Sequence, residues 1–112
     1  MNKVIRDGQV AVIYSPGYGA GWYTWNDTII EDSQRLLFDP EIVKMIEENR
    51  RDEIEAYADR VYGEDGYWST GNLQVAWVPQ GEEFMIKEYD GAEHVILLRD
   101  LPLIQASWLI FW

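Results

Sequence analysis

The sequence predicts an α+β fold, with an antiparallel sheet of four to six strands and two helices, about 40–49 and 52–62, packed on one face. Three observations carry this expectation. Asp7-Gly8 and Asp90-Gly91 each sit between apolar runs, as the central residues of tight hairpins do. Residues 39–65 space their apolar side chains at a helical period, whereas residues 73–98 read as short strands broken by turn residues. The chain has 112 residues and 47% apolar content, which suits one domain with one core.

Val4 and Ile5 lead into Asp7-Gly8, a pair suited to the positive φ angles of a type I′ turn. The run Val10-Ala11-Val12-Ile13-Tyr14 is apolar throughout and reads as a buried strand that Pro16 ends. Residues 16–34 show no period and are expected to form a long ordered loop with at most one short helical turn. Asp39-Pro40 is a helix start: Asp caps the first free amides, and Pro tolerates the first helical position because its missing N–H has no partner there. Ile42, Val43 and Ile46 share one face, and Asn49 is a candidate terminus. Asp52 with Glu55 forms an Asp version of the capping box, followed by Ile54, Tyr57, Ala58 and Val61, with Gly63 as the closing residue. One bent helix over 40–62 is the alternative. Leu73, Val75 and Trp77 alternate with Gln74, Ala76 and Val78, and Pro79-Gln80-Gly81 interrupts. Glu83 to Tyr89 resumes as a strand, and His94 to Leu98 returns from the Asp90-Gly91 turn. Pro102 breaks it, and the apolar run Ile104 to Trp112 is expected to form a last strand.

Twenty acidic against nine basic residues give a net charge of −11. Such a surface repels nucleic acid and anionic lipid, so direct nucleic-acid binding is not expected. It keeps the chain soluble and can attract a basic protein. With no Cys, disulfides and thiolate chemistry are excluded, and a single His makes zinc improbable. No cofactor or structural metal is expected. The start lacks a signal-type apolar stretch, and no run approaches the ~20 residues needed to span a bilayer, so the expected location is the cytoplasm. Catalysis has little support: His94 lies in a strand pattern with no identifiable Ser or Cys partner.

The segment from Ser15 to Asn26 places Gly17, Gly19 and Gly21 at alternate positions and follows them with Trp22, Tyr23 and Trp25. Glycines let a backbone approach a ligand or another backbone closely. Successive N–H groups in such a loop can cradle an anion, and aromatic faces can stack on a base. The pattern fits neither dinucleotide nor P-loop signatures, and the tryptophans serve equally well as core plugs or a partner surface. The ligand-binding candidates are Ser15, Gly17, Tyr18, Gly19, Gly21, Trp22 and Trp25 from this loop. Tyr89 and Asp90 join them at the second hairpin turn, and Arg35, Lys87 and Arg99 are the phosphate donors. Gly63 to Asn72, rich in Gly, aromatic and hydroxyl residues, is a further loop that can line a pocket. The block 39–65 carries ten acidic and four basic residues, with Glu47–Arg51 and Lys44–Glu48 at helix-supporting spacing. It reads as a solvated face or as a mimic of a phosphate backbone.

The segments SPGYGAGWYTWN, LLFDPEIV and WVPQGEEFMIKEYDGAE resemble those of a family of small proteins from tailed phages and some bacteria, over residues 3–98. The resemblance implies a phage accessory protein working in the host cytoplasm, and assigns no catalytic or ligand residue. Proteins of that kind often counter host immunity, which leaves two principal expectations. One is a sponge that binds a small nucleotide-type signal at the Gly-aromatic loop and self-associates as a homo-oligomer through the apolar C-terminal segment. The other is an acidic inhibitor that blocks a basic host protein. A small enzyme acting on a nucleotide is a third.

Overall fold

The computed structural model describes residues 2–19, 21–102, 104 and 106. Among these residues five strands form two antiparallel sheets, and four helices accompany them. The first sheet has the order β1 (Ile5–Arg6), β2 (Gln9–Tyr14), β3 (Gln74–Pro79). The second is a hairpin of β4 (Phe84–Tyr89) and β5 (Ala92–Leu97). The α+β class therefore stands, with the expected sheet divided in two. Both Asp-Gly turns have positive φ at both residues, 51° and 76° at Asp7-Gly8 and 50° and 86° at Asp90-Gly91. That fixes the pairing of Arg6 with Gln9 and of Tyr89 with Ala92.

From Val10 onward β2 is apolar because both of its faces are covered. Ala11 and Ile13 point into a core with Ile42, Val43, Ile46 and Ile54, which come from the helices α3 (Pro40–Glu47) and α4 (Ile54–Tyr62). Val12, of opposite parity, points into a second cluster with Leu37, Phe84, Ile86, Val95 and Leu97. The first sheet thus lies between the helix pair and the β4–β5 hairpin. The loop expected over 16–34 contains one helical turn, α1 (Tyr23–Asn26), and a second, α2 (Arg35–Phe38), follows it unforeseen. Both have four residues, too short to show a period in sequence.

α3 starts as expected: Asp39 Oδ1 accepts from the Glu41 amide at 2.9 Å, with Pro40 in the first turn. It ends at a left-handed Asn49 (φ 58°), where Arg50 N–H donates to Met45 O and Asn49 N–H to Ile46 O. That bond pair is a Schellman closure. Gly63 closes α4 at φ 102°. Two expectations are corrected. The Asp52–Glu55 capping box does not form; Arg51–Glu53 is a 3-10 turn, and α4 begins without a side-chain cap. Glu47 pairs with Arg6 at 2.5 and 2.8 Å rather than with Arg51, whose Nε donates to Leu73 O, and Glu48 pairs with Arg50. A bidentate partner on β1 and an Arg two residues on out-compete exposed i,i+4 neighbours, whose pairing is worth only a few tenths of a kcal/mol. The last expected strand, Ile104–Trp112, falls outside the described residues apart from positions 104 and 106. Among the described residues no helix is long and apolar enough to cross a membrane.

Asp39 also joins the two long helices. Its buried carboxylate accepts from Tyr57 Oη at 2.9 Å and Tyr62 Oη at 2.5 Å. Asp39→Ala removes a helix cap and strands two phenols, and is expected to cost about 2–3 kcal/mol in urea denaturation. Burial first, and then the hydrogen bond to Asp39, raise both phenols above their ordinary value. The unfolded chain ionises its tyrosines near pH 10, while the folded chain keeps these two protonated. Their contribution is therefore full below pH 10 and declines progressively as the pH rises from there towards their raised folded values. The melting temperature is expected to fall between pH 9.5 and 11.5, and less steeply in a Tyr57→Phe/Tyr62→Phe variant.

Candidate functional site

Three loops that the sequence singles out converge at one end of the molecule. The strand β2 delivers Ser15, after which the Gly-aromatic loop crosses towards the turn between β4 and β5. Gly19 N–H donates to Asp90 O at 2.5 Å and Glu93 N–H to Ser15 O at 2.7 Å. The segment between α4 and β3 joins from the other side. Asn26 Oδ1 accepts from Tyr67 N–H at 2.7 Å, and its Nδ2 donates to Trp22 O at 2.6 Å and Tyr67 O at 3.1 Å.

The alternating glycines have structural reasons. Gly19 has φ 71°, a left-handed backbone that disfavours a side chain. A Cβ on Gly17 would overlap the Asn72 side chain, and one on Gly21 would overlap the Trp25 indole. Trp22 is 0% exposed: it lies in the helix-side core, donates from Nε1 to Leu36 O at 2.7 Å, and packs on Trp68 at 5.3 Å between ring centroids. Its indole is sealed from any guest. Trp25 is half-buried and meets Tyr67 edge-on at 6.2 Å.

The loop's amides are also engaged from within. Glu93, 0% exposed, directs its carboxylate into the loop. Oε1 accepts from Ser15 N–H at 2.9 Å. Oε2 accepts from Trp22 N–H at 3.1 Å, Thr24 N–H at 2.8 Å and Thr24 Oγ1 at 2.7 Å. The anion that meets amides here is thus the chain's own carboxylate, and its donors are Ser15, Trp22 and Thr24 rather than the glycine amides expected to form a cradle. Glu93, Asn26 and Tyr67 were not among the sequence candidates. The available signal was parity: Glu93 shares the inward face of β5 with Val95 and Leu97, an unusual place for a carboxylate unless donors meet it.

Two candidates remain open to solvent and meet each other. Tyr18 is 74% and Tyr89 75% exposed, with their rings edge-to-face at 6.5 Å. The Asp90 residue beside them is exposed, and Glu88 Oε1 accepts from Gly91 N–H at 2.6 Å to brace the turn. Inward packing of Phe84 and Ile86 places Met85, Lys87 and Tyr89 on the outer face of β4, with His94 directly across from Lys87. Lys87 therefore shares a face with Tyr89. Arg99 does not belong to this group. It pairs with Glu82 at 2.9 Å beyond the opposite end of the hairpin, and a six-residue strand is roughly 17 Å long. Arg35 lies over the Tyr62 ring at 5.5 Å, on the helical side. The three expected phosphate donors are thus dispersed, and one of them adjoins the tyrosine pair.

Two of the cavities, each of about 500 Å³ or more, lie elsewhere. One of about 640 Å³ separates α3 from α4 and is lined by Met45, Tyr57 and charged residues including Arg50 and Arg60. The other, of about 500 Å³, lies between α2 and β4. Neither is lined by Trp22, Trp25 or the loop glycines. Among the described residues no group of three His, Cys, Asp or Glu is placed to hold a metal ion. No family model matches the chain, and no curated protein or solved structure is significantly similar to it.

Proposed function

We propose that this chain is a non-catalytic phage accessory protein that sequesters a small nucleotide-type ligand in the host cytoplasm, as a counter-defence sponge. The binding surface in this reading is the corner made by Tyr18 and Tyr89. The observation that carries it is the convergence of those two rings. Both are about three-quarters exposed, yet their backbones are fixed by the Gly19–Asp90 hydrogen bond. A rigid, solvent-facing aromatic pair loses little entropy on stacking a base. Lys87 and His94 on the same outer face offer donors to phosphate oxygens, and Asp90 offers an acceptor to a sugar hydroxyl or base amine. Glu93 acts behind this surface by holding the loop in shape.

Calorimetric titration with cyclic dinucleotides and ADP-ribose derivatives tests the proposal. Tyr18→Ala and Tyr89→Ala are each expected to weaken binding by about tenfold or more, since a base stack is worth ~1–3 kcal/mol. Melting temperatures should stay within about 2 °C of the parent, because exposed side chains contribute little to stability. Parent-like affinity in both variants, or no binding by any nucleotide, would remove the sponge.

The net charge of −11 favours a second reading, an acidic inhibitor that covers a basic host protein. Its binding would weaken steeply with salt and survive loss of both tyrosines. In the first reading the chain self-associates through its apolar C-terminal segment, which pairs binding corners from two copies.

A further inference from the structure

The cavity of about 500 Å³ is a groove with an apolar floor of Leu37, Phe38, Phe84, Ile86 and Leu98, and Lys3, Glu82 and Glu83 among its polar lining. Tyr23 and Met85 complete it. β4, which forms one wall, has β5 as its one strand partner among the described residues, so its other edge leaves main-chain N–H and C=O groups without a strand. Open strand edges beside apolar floors are where extended segments add to a sheet.

The same molecule carries a segment of matching chemistry. After Leu98 the chain makes one 3-10 turn to Asp100, and Leu101 is extended at φ −77° and ψ 141°. Pro102 and Ala106 are exposed, and Ile104 is 95% exposed. Positions 102, 104 and 106 thus lie in solvent and not in the groove. The sequence that follows ends in Trp108-Leu109-Ile110-Phe111-Trp112, with no charged residue after Asp100. An apolar segment of this kind is seldom left in water.

We infer that the groove between α2 and β4 receives residues 103–112 of a second copy of this chain. Each copy then fills the other's groove, a reciprocal exchange with two-fold symmetry. This rests on the self-association included in the proposed function, and adds where the segment docks and which residues hold it.

The absence of cysteine allows a direct test in the full chain. One chain carries Lys3→Cys, at the polar lining of the groove; a second, differently tagged, carries Trp108→Cys or Ile110→Cys. After mixing and mild oxidation, a covalent heterodimer is expected at no less than about ten times the yield given by Val61→Cys, an exposed position on α4. Light scattering of the parent should give twice the chain mass at micromolar concentration. A monomeric parent would overturn both the groove assignment and self-association. A dimer without preferential cross-linking would overturn the groove alone. A cross-link formed within one chain carrying both cysteines, but not between chains, would place the segment in its own groove and overturn the exchange. None of these three results touches the tyrosine corner, which the calorimetry tests separately.

Discussion

Trp22→Ala is expected to cost about 3–5 kcal/mol, the usual range for removing a large aromatic from a packed core. The side chain is wholly buried against Trp68, and its loss also strips the Leu36 carbonyl of its donor. A domain of this size has about 5–15 kcal/mol of stability in total, so the variant should melt at least ~10 °C lower and be partly unfolded at 37 °C. Trp22→Phe keeps most of the volume and loses the hydrogen bond, and should cost about half as much. Urea denaturation followed by far-UV circular dichroism measures both. The sequence pattern alone allows Trp22 to be a stacking surface, in which case alanine would spare stability and abolish binding. Parent-like stability in Trp22→Ala would therefore contradict the packing described here.

What was legible in the sequence was local. Asp7-Gly8, Asp90-Gly91, Asp39-Pro40 and Gly63 each encode a backbone requirement within a few residues, and all four mark the boundaries they suggested. The doubly covered strand β2 was legible because five apolar residues in a row leave no polar face. What was not legible depends on distant neighbours. Arg6 claims Glu47 across 41 positions, and Glu93 reaches residues 69 to 78 positions away. The division into two sheets follows from packing on opposite faces of β2, which no single segment reports. In the candidate site, the sequence identified Tyr18, Gly19, Tyr89 and Asp90, which do meet. It also grouped Arg35 and Arg99 with them, because charge in a sequence carries no direction in space.

Glu93 is where local pattern and distant contact combine, and its replacement should have the second large effect. Glu93→Ala leaves the amides of Ser15, Trp22 and Thr24 and the Thr24 hydroxyl without their acceptor. A buried donor without a partner costs ~1–3 kcal/mol, so the total should be about 4 kcal/mol or more. Glu93→Gln is more informative, because a carboxamide has one acceptor oxygen where the carboxylate has two. Oε2 collects three donors and Oε1 one, so the amide oxygen should take the Oε2 position and turn its NH2 against Ser15 N–H. The expected cost is about 2–3 kcal/mol, concentrated at one amide. Hydrogen exchange by NMR should then accelerate at Ser15 while Thr24 keeps its protection. Loosening at Ser15 should reach Tyr18 three residues on, and widen its separation from Tyr89. If all three amides keep parent-like protection in both variants, the carboxylate does not hold the loop, and the rigidity assigned to the tyrosine corner must come from elsewhere in the chain.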